Sequence, residues 1–390
     1  MFIKSIVQFF VLIFLALTVR GQMSTEARVS IITCGPGTEL YSGFGHTALR
    51  IYDSETRFDQ VYNYGMFDFS DPDFYAKFAR GKLRYWLGKA PMEMFVQSYT
   101  AENRKVTEQI LDLEHQDVVQ IYNYLEQNAL PENKYYAYDF FFDNCATRPR
   151  DVLMKVLGER LKWHTHKDAN QLSFRTIIDG FLVSGPWIDL GIDIVLGSVI
   201  DRKATNEELM FLPQYIFEIA EKSTIENNGK EIALVSGAPI VHYDPGLTAQ
   251  TEVPFWKPAY FTWFIFAIVF AFTFIRRYKP IWILDILLFL ITGLLGIFVL
   301  FMWFGTEHQA TAANLNVLWL NPLNLVSIPI LIFLSKKAWV APYFKILAVL
   351  TGILVVVSPM LPQTVHPALA PLTLAVALRY LTLSKWQRVK

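Results

Sequence analysis

The hydrophobic pattern divides the chain into three stretches of different period. Residues 6–19 form an apolar run behind Lys4, and the small residue Gly21 follows it. The run falls short of the roughly 20 residues that cross a bilayer, so residues 1–21 read as a secretory signal peptide, with an uncleaved anchor as the alternative. From residue 28 to about 254, apolar and polar positions mix. Short β-prone runs at 28–33, 47–52 and 60–64, separated by glycine-bearing turns, predict antiparallel strands. Across 100–128 the spacing turns helical, with Val106, Ile110, Leu113, Val118, Ile121, Tyr122 and Leu125 on one stripe. Residues 151–161 and 174–183 read as further helices. Residues 187–201, rich in Ile, Val, Leu and Gly, suit a buried segment or one lying on a lipid surface.

Five apolar segments follow, at about 260–275, 281–304, 318–334, 342–360 and 368–383. Basic residues fall in alternate connections only: Arg276, Arg277 and Lys279, then Lys336 and Lys337, then Lys385, Arg388 and Lys390. By the positive-inside rule these lie in the cytoplasm, and the loops at 305–316 and 361–367, which lack Lys and Arg, lie outside. The expected organisation is a signal peptide (1–21), an α+β periplasmic domain (22–238), a proline-dotted linker (239–258) and a five-span membrane domain (259–390). Asp285 sits near the cytoplasmic end of the second span, where solvation is the expected fate.

Composition refines this division. Hydrophobic residues make up 53% of the chain, with the apolar excess concentrated after residue 258, and the formal net charge is zero. That balance gives no electrostatic reason to expect nucleic acid or a polybasic lipid-headgroup surface. The two cysteines, Cys34 and Cys145, are too few for a disulfide framework, and no Cys/His spacing resembles a zinc site, so no metal or cofactor is expected.

The remaining chemistry centres on Cys145. It lies at the foot of a predicted helix, after the aromatic run Tyr138-Asp139-Phe140-Phe141-Phe142, where the helix dipole favours thiolate. A small buried core cysteine is the alternative. His46, opening a strand after Gly45, suits the role of base, and Asn63 on the next strand suits an orienting amide, with Glu39 and Asp53 behind it. Arg148 is a candidate for anionic substrate groups. His308, beside Glu307 in the first outer loop, is a candidate for completing the site from the bilayer side. Asn314, Asn316, Asn321 and Asn324 are more polar than a span entrance needs.

Thr33-Cys34-Gly35-Pro36-Gly37, Phe44-Gly45-His46-Thr47, Tyr138-Asp139-Phe140 through Asn144-Cys145-Ala146, and Asn314-Leu315-Asn316 to Asn321-Pro322 together resemble the Bacteroidota-type lipoprotein N-acyltransferase family. The resemblance covers nearly the whole chain. It implies a circularly permuted papain-like (NlpC/P60-like) domain followed by a five-helix transmembrane bundle in the bacterial inner membrane. It also implies Cys145 as nucleophile and His46 as base, a phospholipid acyl donor and a diacylated lipoprotein acceptor. A membrane-tethered cysteine peptidase or amidase acting on cell-wall peptide is the alternative from the same fold. The aromatic residues before Cys145 favour acyl chains over a polar groove. A non-catalytic receptor is a third reading, which a Cys34–Cys145 disulfide would support.

Overall fold

The computed structural model describes residues 23–246, 255–276 and 280–386. The expected signal segment, part of the expected linker, and the basic residues Arg277, Lys279, Arg388 and Lys390 lie outside the described residues.

In chain order the strands are β1 (Arg28–Cys34), β2 (His46–Asp53), β3 (Phe58–Met66), β4 (Arg84–Pro91), β5 (Val106–Ile110), β6 (Tyr135–Ala137), β7 (Leu161–Lys162), β8 (Thr224–Asn227), β9 (Lys230–Ala233) and β10 (Ile240–Tyr243). Seven of them form one antiparallel sheet in the order β10-β5-β1-β2-β3-β4-β6, and β7, β8 and β9 form a small second sheet. Helices cover both faces of the large sheet, which is why β1 reads as the near-continuous apolar run Val-Ser-Ile-Ile rather than alternating. Ile31 packs with α3 (His115–Asn128) and α4 (Thr147–Leu157) on one face. Ile32 and Cys34 pack with Phe95 and Tyr99 of the helix Met92–Ala101 on the other. A third cluster, built from Phe174–Phe181 and Pro213–Lys222, closes the side nearest Cys145.

Two expectations change. The helical stripe assigned to 100–128 begins in reality with β5, and the helix starts only at His115. Val106-Thr107-Glu108-Gln109 is buried between β1 and β10. Its polar residues are satisfied at a distance in sequence: Glu108 accepts from Arg50 at 2.9 Å and contacts His242 at 2.6 Å, and Gln109 donates to the Phe217 carbonyl at 3.1 Å. The expected linker contributes β10, an edge strand on β5, so the connection is shorter than 239–258.

In the membrane part, Pro258–Ile275, Trp282–Phe304, Asn316–Phe333 and Val340–Met360 are each long and apolar enough to cross a bilayer. The 23 residues of Trp282–Phe304 extend about 34 Å at 1.5 Å per residue. A fifth helix, Leu369–Trp386, carries Arg379. Asp285 is buried, not solvated as expected: Arg379 donates to it through Nε at 2.5 Å and Nη2 at 3.0 Å, and to Thr273 at 2.7 Å. The pair ties three helices together where neither charge reaches water.

Hydrogen bonds join the two parts. Asn314 donates to the Ile194 and Val195 carbonyls at 2.9 and 2.8 Å, and Asn316 to that of Asp193 at 2.7 Å. These are the unpaired carbonyls at the end of the helix Pro186–Val195, so the asparagines of the outer loop act as its C-terminal cap. Gly197 lies so close to this loop that a Cβ would sit 1.8 Å from the Ala312 carbonyl oxygen. The segment 187–201, left open between a buried and a lipid-surface placement, is thereby docked on the membrane domain. Asn324 turns instead into the bundle, bonding Thr292 at 2.7 Å and the Tyr380 hydroxyl.

Candidate functional site

His46 is the first residue of β2 and faces Cys34 across the β1–β2 ladder. The pairing of β2 with β3 begins only at Leu49↔Tyr62, which leaves the first turn of β2 unpaired on its β3 side. Cys145 fills that gap. Its sulfur accepts from the Thr47 backbone N–H, its own N–H and the Tyr138 hydroxyl.

Gly65 makes the approach possible. At φ +89° in the bulged end of β3, a Cβ there would lie 3.3 Å from Cys145 Cβ, 3.8 Å from Tyr138 and 3.9 Å from His46 Cε1. Any side chain would both strain the backbone and wedge into the space between the thiol and the imidazole. A glycine inside a strand pattern was the available sequence signal.

The loop carrying Cys145 is held by Asn144, which is almost fully buried. Its Oδ1 accepts from the Ala146 and Thr147 N–H groups at 2.7 and 2.9 Å, capping α4, and its Nδ2 donates to the Phe140 and Phe211 carbonyls at 2.6 and 2.8 Å. The Asn63 amide oxygen lies 2.5 Å from His46 Nε2, and its Nδ2 reaches Met66 Sδ at 3.2 Å. That orientation puts the imidazole proton on Nε2 and leaves the Nδ1 lone pair free. The His46 ring stacks on Tyr99 at 6.0 Å, and the Arg104 guanidinium lies over the same Tyr99 ring, 4.6 Å from its centroid. Arg104, itself buried, bonds the Gly35 carbonyl and Glu102. Nothing local in the sequence marks Arg104 or Tyr99 as neighbours of the site.

Burial sets the protonation states. It pushes the Cys145 thiol up to about 11, against the Thr47 and Cys145 N–H groups, Arg104 and Tyr138, which all act to lower it. Burial also lowers His46 to about 4, against the Asn63 hydrogen bond. The helix-start position of Cys145 therefore does not yield the resting thiolate expected from sequence; the cost of an anion in this aromatic pocket outweighs the dipole. The resting pair is a neutral thiol and a neutral imidazole. Both cysteines are free, and burial raises Cys34 strongly as well.

Three other candidates lie apart from the thiol. Arg148 is held by both oxygens of Asp143 and stacks 4.2 Å over Tyr136, beside a cavity of about 330 Å³ lined by Tyr64, Tyr124, Phe142 and Asp151. Glu39 is exposed in the turn before Leu40–Ser42, its carbonyl accepting from Ser42 at 3.0 Å. His308 Nε2 bonds the Phe78 carbonyl at 2.9 Å, on the helix α1 (Phe74–Ala79).

Asp189, Asp193 and His366 bring three ligand-type atoms within 4.8 Å. The Ala368 N–H donates to His366 Nδ1 at 3.0 Å, which places the proton on Nε2, 3.5 Å from Asp189. Arg175 occupies Asp193 at 2.5 Å. This cluster is an ion-pair network between the helix Pro186–Val195 and the second outer loop, with no lone pair on His366 left for a metal.

An α+β domain with a cysteine at a helix start, a histidine on the neighbouring sheet, and a docked helical membrane bundle defines a membrane-anchored protein with a large domain outside the bilayer. Residues 19–180 match the Lnb N-terminal periplasmic domain and residues 249–388 match the Lnb transmembrane domain. The chain belongs to the Lnb family, the Bacteroidota lipoprotein N-acyltransferases. No curated protein and no solved structure matches it.

Proposed function

We propose that the protein moves a fatty acyl chain from a membrane phospholipid, through a thioester on Cys145, to the free N-terminal amine of a diacylated lipoprotein. The observation that carries this reading is the side-chain-free gap at Gly65, where a Cβ would lie 3.3 Å from Cys145 Cβ and 3.9 Å from His46 Cε1, so that both residues border one space among aromatic rings in a domain bound to the bilayer.

Cys145 Sγ adds to an ester carbonyl of the phospholipid as its proton passes to His46 Nδ1, so no free thiolate accumulates. The Thr47 and Cys145 N–H groups, which bond the sulfur at rest, are placed to receive the developing oxyanion. The tetrahedral adduct collapses, the ester C–O bond breaks, and the lysophospholipid oxygen takes the proton back from His46. In the second half the neutral α-amine attacks the thioester carbonyl. His46 removes a proton from the nitrogen and returns it to the departing sulfur, and the acceptor leaves with a third acyl chain. Asn63 holds the imidazole in the tautomer that this cycle needs, and the buried pocket disfavours water as a competing nucleophile. The distribution of basic residues supports placement in the inner membrane with a cytoplasmic C-terminus.

The peptidase reading needs an open polar groove, whereas Tyr85, Tyr136 and Tyr138 surround the thiol. The deciding experiment is intact-mass analysis of the protein in phospholipid micelles, before and after adding a diacylated lipopeptide. A fatty-acyl adduct that forms on wild type, disappears with the amine and is absent from Cys145→Ser supports the acyltransferase. Absence of any adduct together with cleavage of wall peptides would establish the peptidase.

A further inference from the structure

Four aromatic side chains stand exposed on the membrane-facing flank of the periplasmic domain: Tyr41 (61%), Phe69 (56%), Tyr75 (79%) and Phe78 (52%). Soluble surfaces rarely leave such rings contiguous without a partner. Here Tyr41 contacts Phe69 at 6.0 Å, Phe69 contacts Phe74 at 4.7 Å, and Phe74 contacts Tyr75 and Phe78 at 5.3 and 6.2 Å. The strip is therefore continuous.

Each end is anchored to something identifiable. At one end, α1 rests on the first outer loop of the membrane domain: the Glu307 N–H donates to the Arg80 carbonyl at 2.9 Å, His308 bonds the Phe78 carbonyl, and a Cβ on Gly81 would lie 3.0 Å from the His308 nitrogen. Three residues before Glu307, Phe304 is 72% exposed at the end of a membrane-spanning helix, so Tyr75 and Phe78 continue a lipid-facing surface. At the other end, Phe67 beneath the strip contacts Tyr85 at 5.3 Å, and Tyr85 stacks at 4.3 Å on Tyr138, whose hydroxyl bonds the Cys145 sulfur. Along the chain, Phe69 on the strip lies four positions after Gly65 at the thiol, at most about 14 Å of extended backbone. That span is within the reach of one long fatty acyl chain.

We propose that Tyr41, Phe69, Tyr75 and Phe78 form the docking surface for the acyl chain of an outer-leaflet phospholipid, delivering its ester to Cys145. This rests on the acyltransferase reading for its destination, but not for the contact itself. Aromatic rings offer large apolar area with little side-chain entropy to lose, and Tyr75 keeps a polar tip for the interfacial zone where such residues concentrate.

The test uses the full-length protein in phosphatidylethanolamine nanodiscs, with benzoylphenylalanine replacing Tyr75, Phe78 or, as a control, Met94. Met94 is equally exposed, at 62%, but sits on the helix covering the opposite sheet face. Photolysis is expected to add a phospholipid mass at 75 and 78 and not at 94. In parallel, the double variant Tyr75→Asp/Phe78→Asp is expected to slow acyl-adduct formation on Cys145 at least tenfold. Iodoacetamide alkylation of Cys145 and Cys34 that stays as slow as in wild type reports that this variant is folded, because unfolding would expose both buried thiols and speed the reaction. Equal capture at Met94, capture of added diacylated lipopeptide in preference to phospholipid, or no capture at 75 and 78 while wild-type Cys145 is still acylated, overturns the docking surface. Phospholipid capture at 75 and 78 without any acylation of Cys145 upholds the surface and removes the acyltransferase reading instead.

Discussion

His46 Nε2 and Asn63 Oδ1 lie 2.5 Å apart, one on β2 and the other on β3, seventeen residues further along the chain. Because the amide oxygen can only accept, this bond sets which imidazole nitrogen carries the proton and leaves Nδ1 as the base. Asn63→Ala is expected to lower the rate of Cys145 acylation by about 10- to 100-fold, the effect of a misoriented catalytic group. Asn63→Asp keeps the acceptor and adds a charge, so it is expected to raise the His46 pKa above its present value of about 4 and to recover part of the rate. NMR titration of the imidazole and single-turnover mass spectrometry read the two effects separately.

The neutral thiol–imidazole pair has a distinct pH signature. With Cys145 near 11 and no resting thiolate, iodoacetamide alkylation is expected to keep rising with pH above 9. A plateau reached near neutral pH would instead show a preformed ion pair and contradict the burial argument.

Stability should respond on the acid side. The unfolded chain binds a proton on His46 near pH 6.5, whereas the folded one resists until about 4, so the unfolded state gains protons first as pH falls. The contribution of His46 is complete above about 6.5 and lost progressively down to about 4, amounting to roughly 3 kcal/mol. His46→Gln, neutral at every pH, removes this dependence, so thermal melts of the two proteins in detergent should separate between pH 7 and 4, with the wild type losing more stability.

Gly197 tests the junction between the domains. Gly197→Ala drives a methyl group against the Ala312 carbonyl, and the expected cost is about 1–3 kcal/mol, seen as a lower melting temperature. Asn314→Ala and Asn316→Ala strand the carbonyls of Asp193, Ile194 and Val195 and are expected to increase protease nicking between the two parts.

The buried Arg379–Asp285 pair makes a double-variant prediction. Arg379→Met alone leaves a carboxylate without its counter-charge inside the bundle, at an expected cost of about 3–5 kcal/mol, whereas Arg379→Met with Asp285→Leu recovers most of it. Retained fluorescence of a tagged protein on heating in detergent, measured by size exclusion, separates the two.

The sequence by itself determined the division into a polar α+β part and an apolar helical part, the antiparallel runs around β1 to β3, and the prominence of Gly45-His46-Thr47 and Asn144-Cys145-Ala146. These are local properties, since periodicity and turn chemistry act over a few residues. Tertiary structure decided everything that depends on residues meeting across the chain. Val106–Ile110 became a strand because β1 and β10 flank it and Arg50 satisfies Glu108. Asp285 left the solvent because Arg379, ninety-four residues later, supplies its counter-charge. The thiol pKa rose because desolvation is a sum over surrounding groups, and Tyr138, Tyr85 and Tyr136 reach Cys145 only once β4 and β6 have paired. A helix start can be read from a sequence, but the dielectric around it exists only in the folded protein.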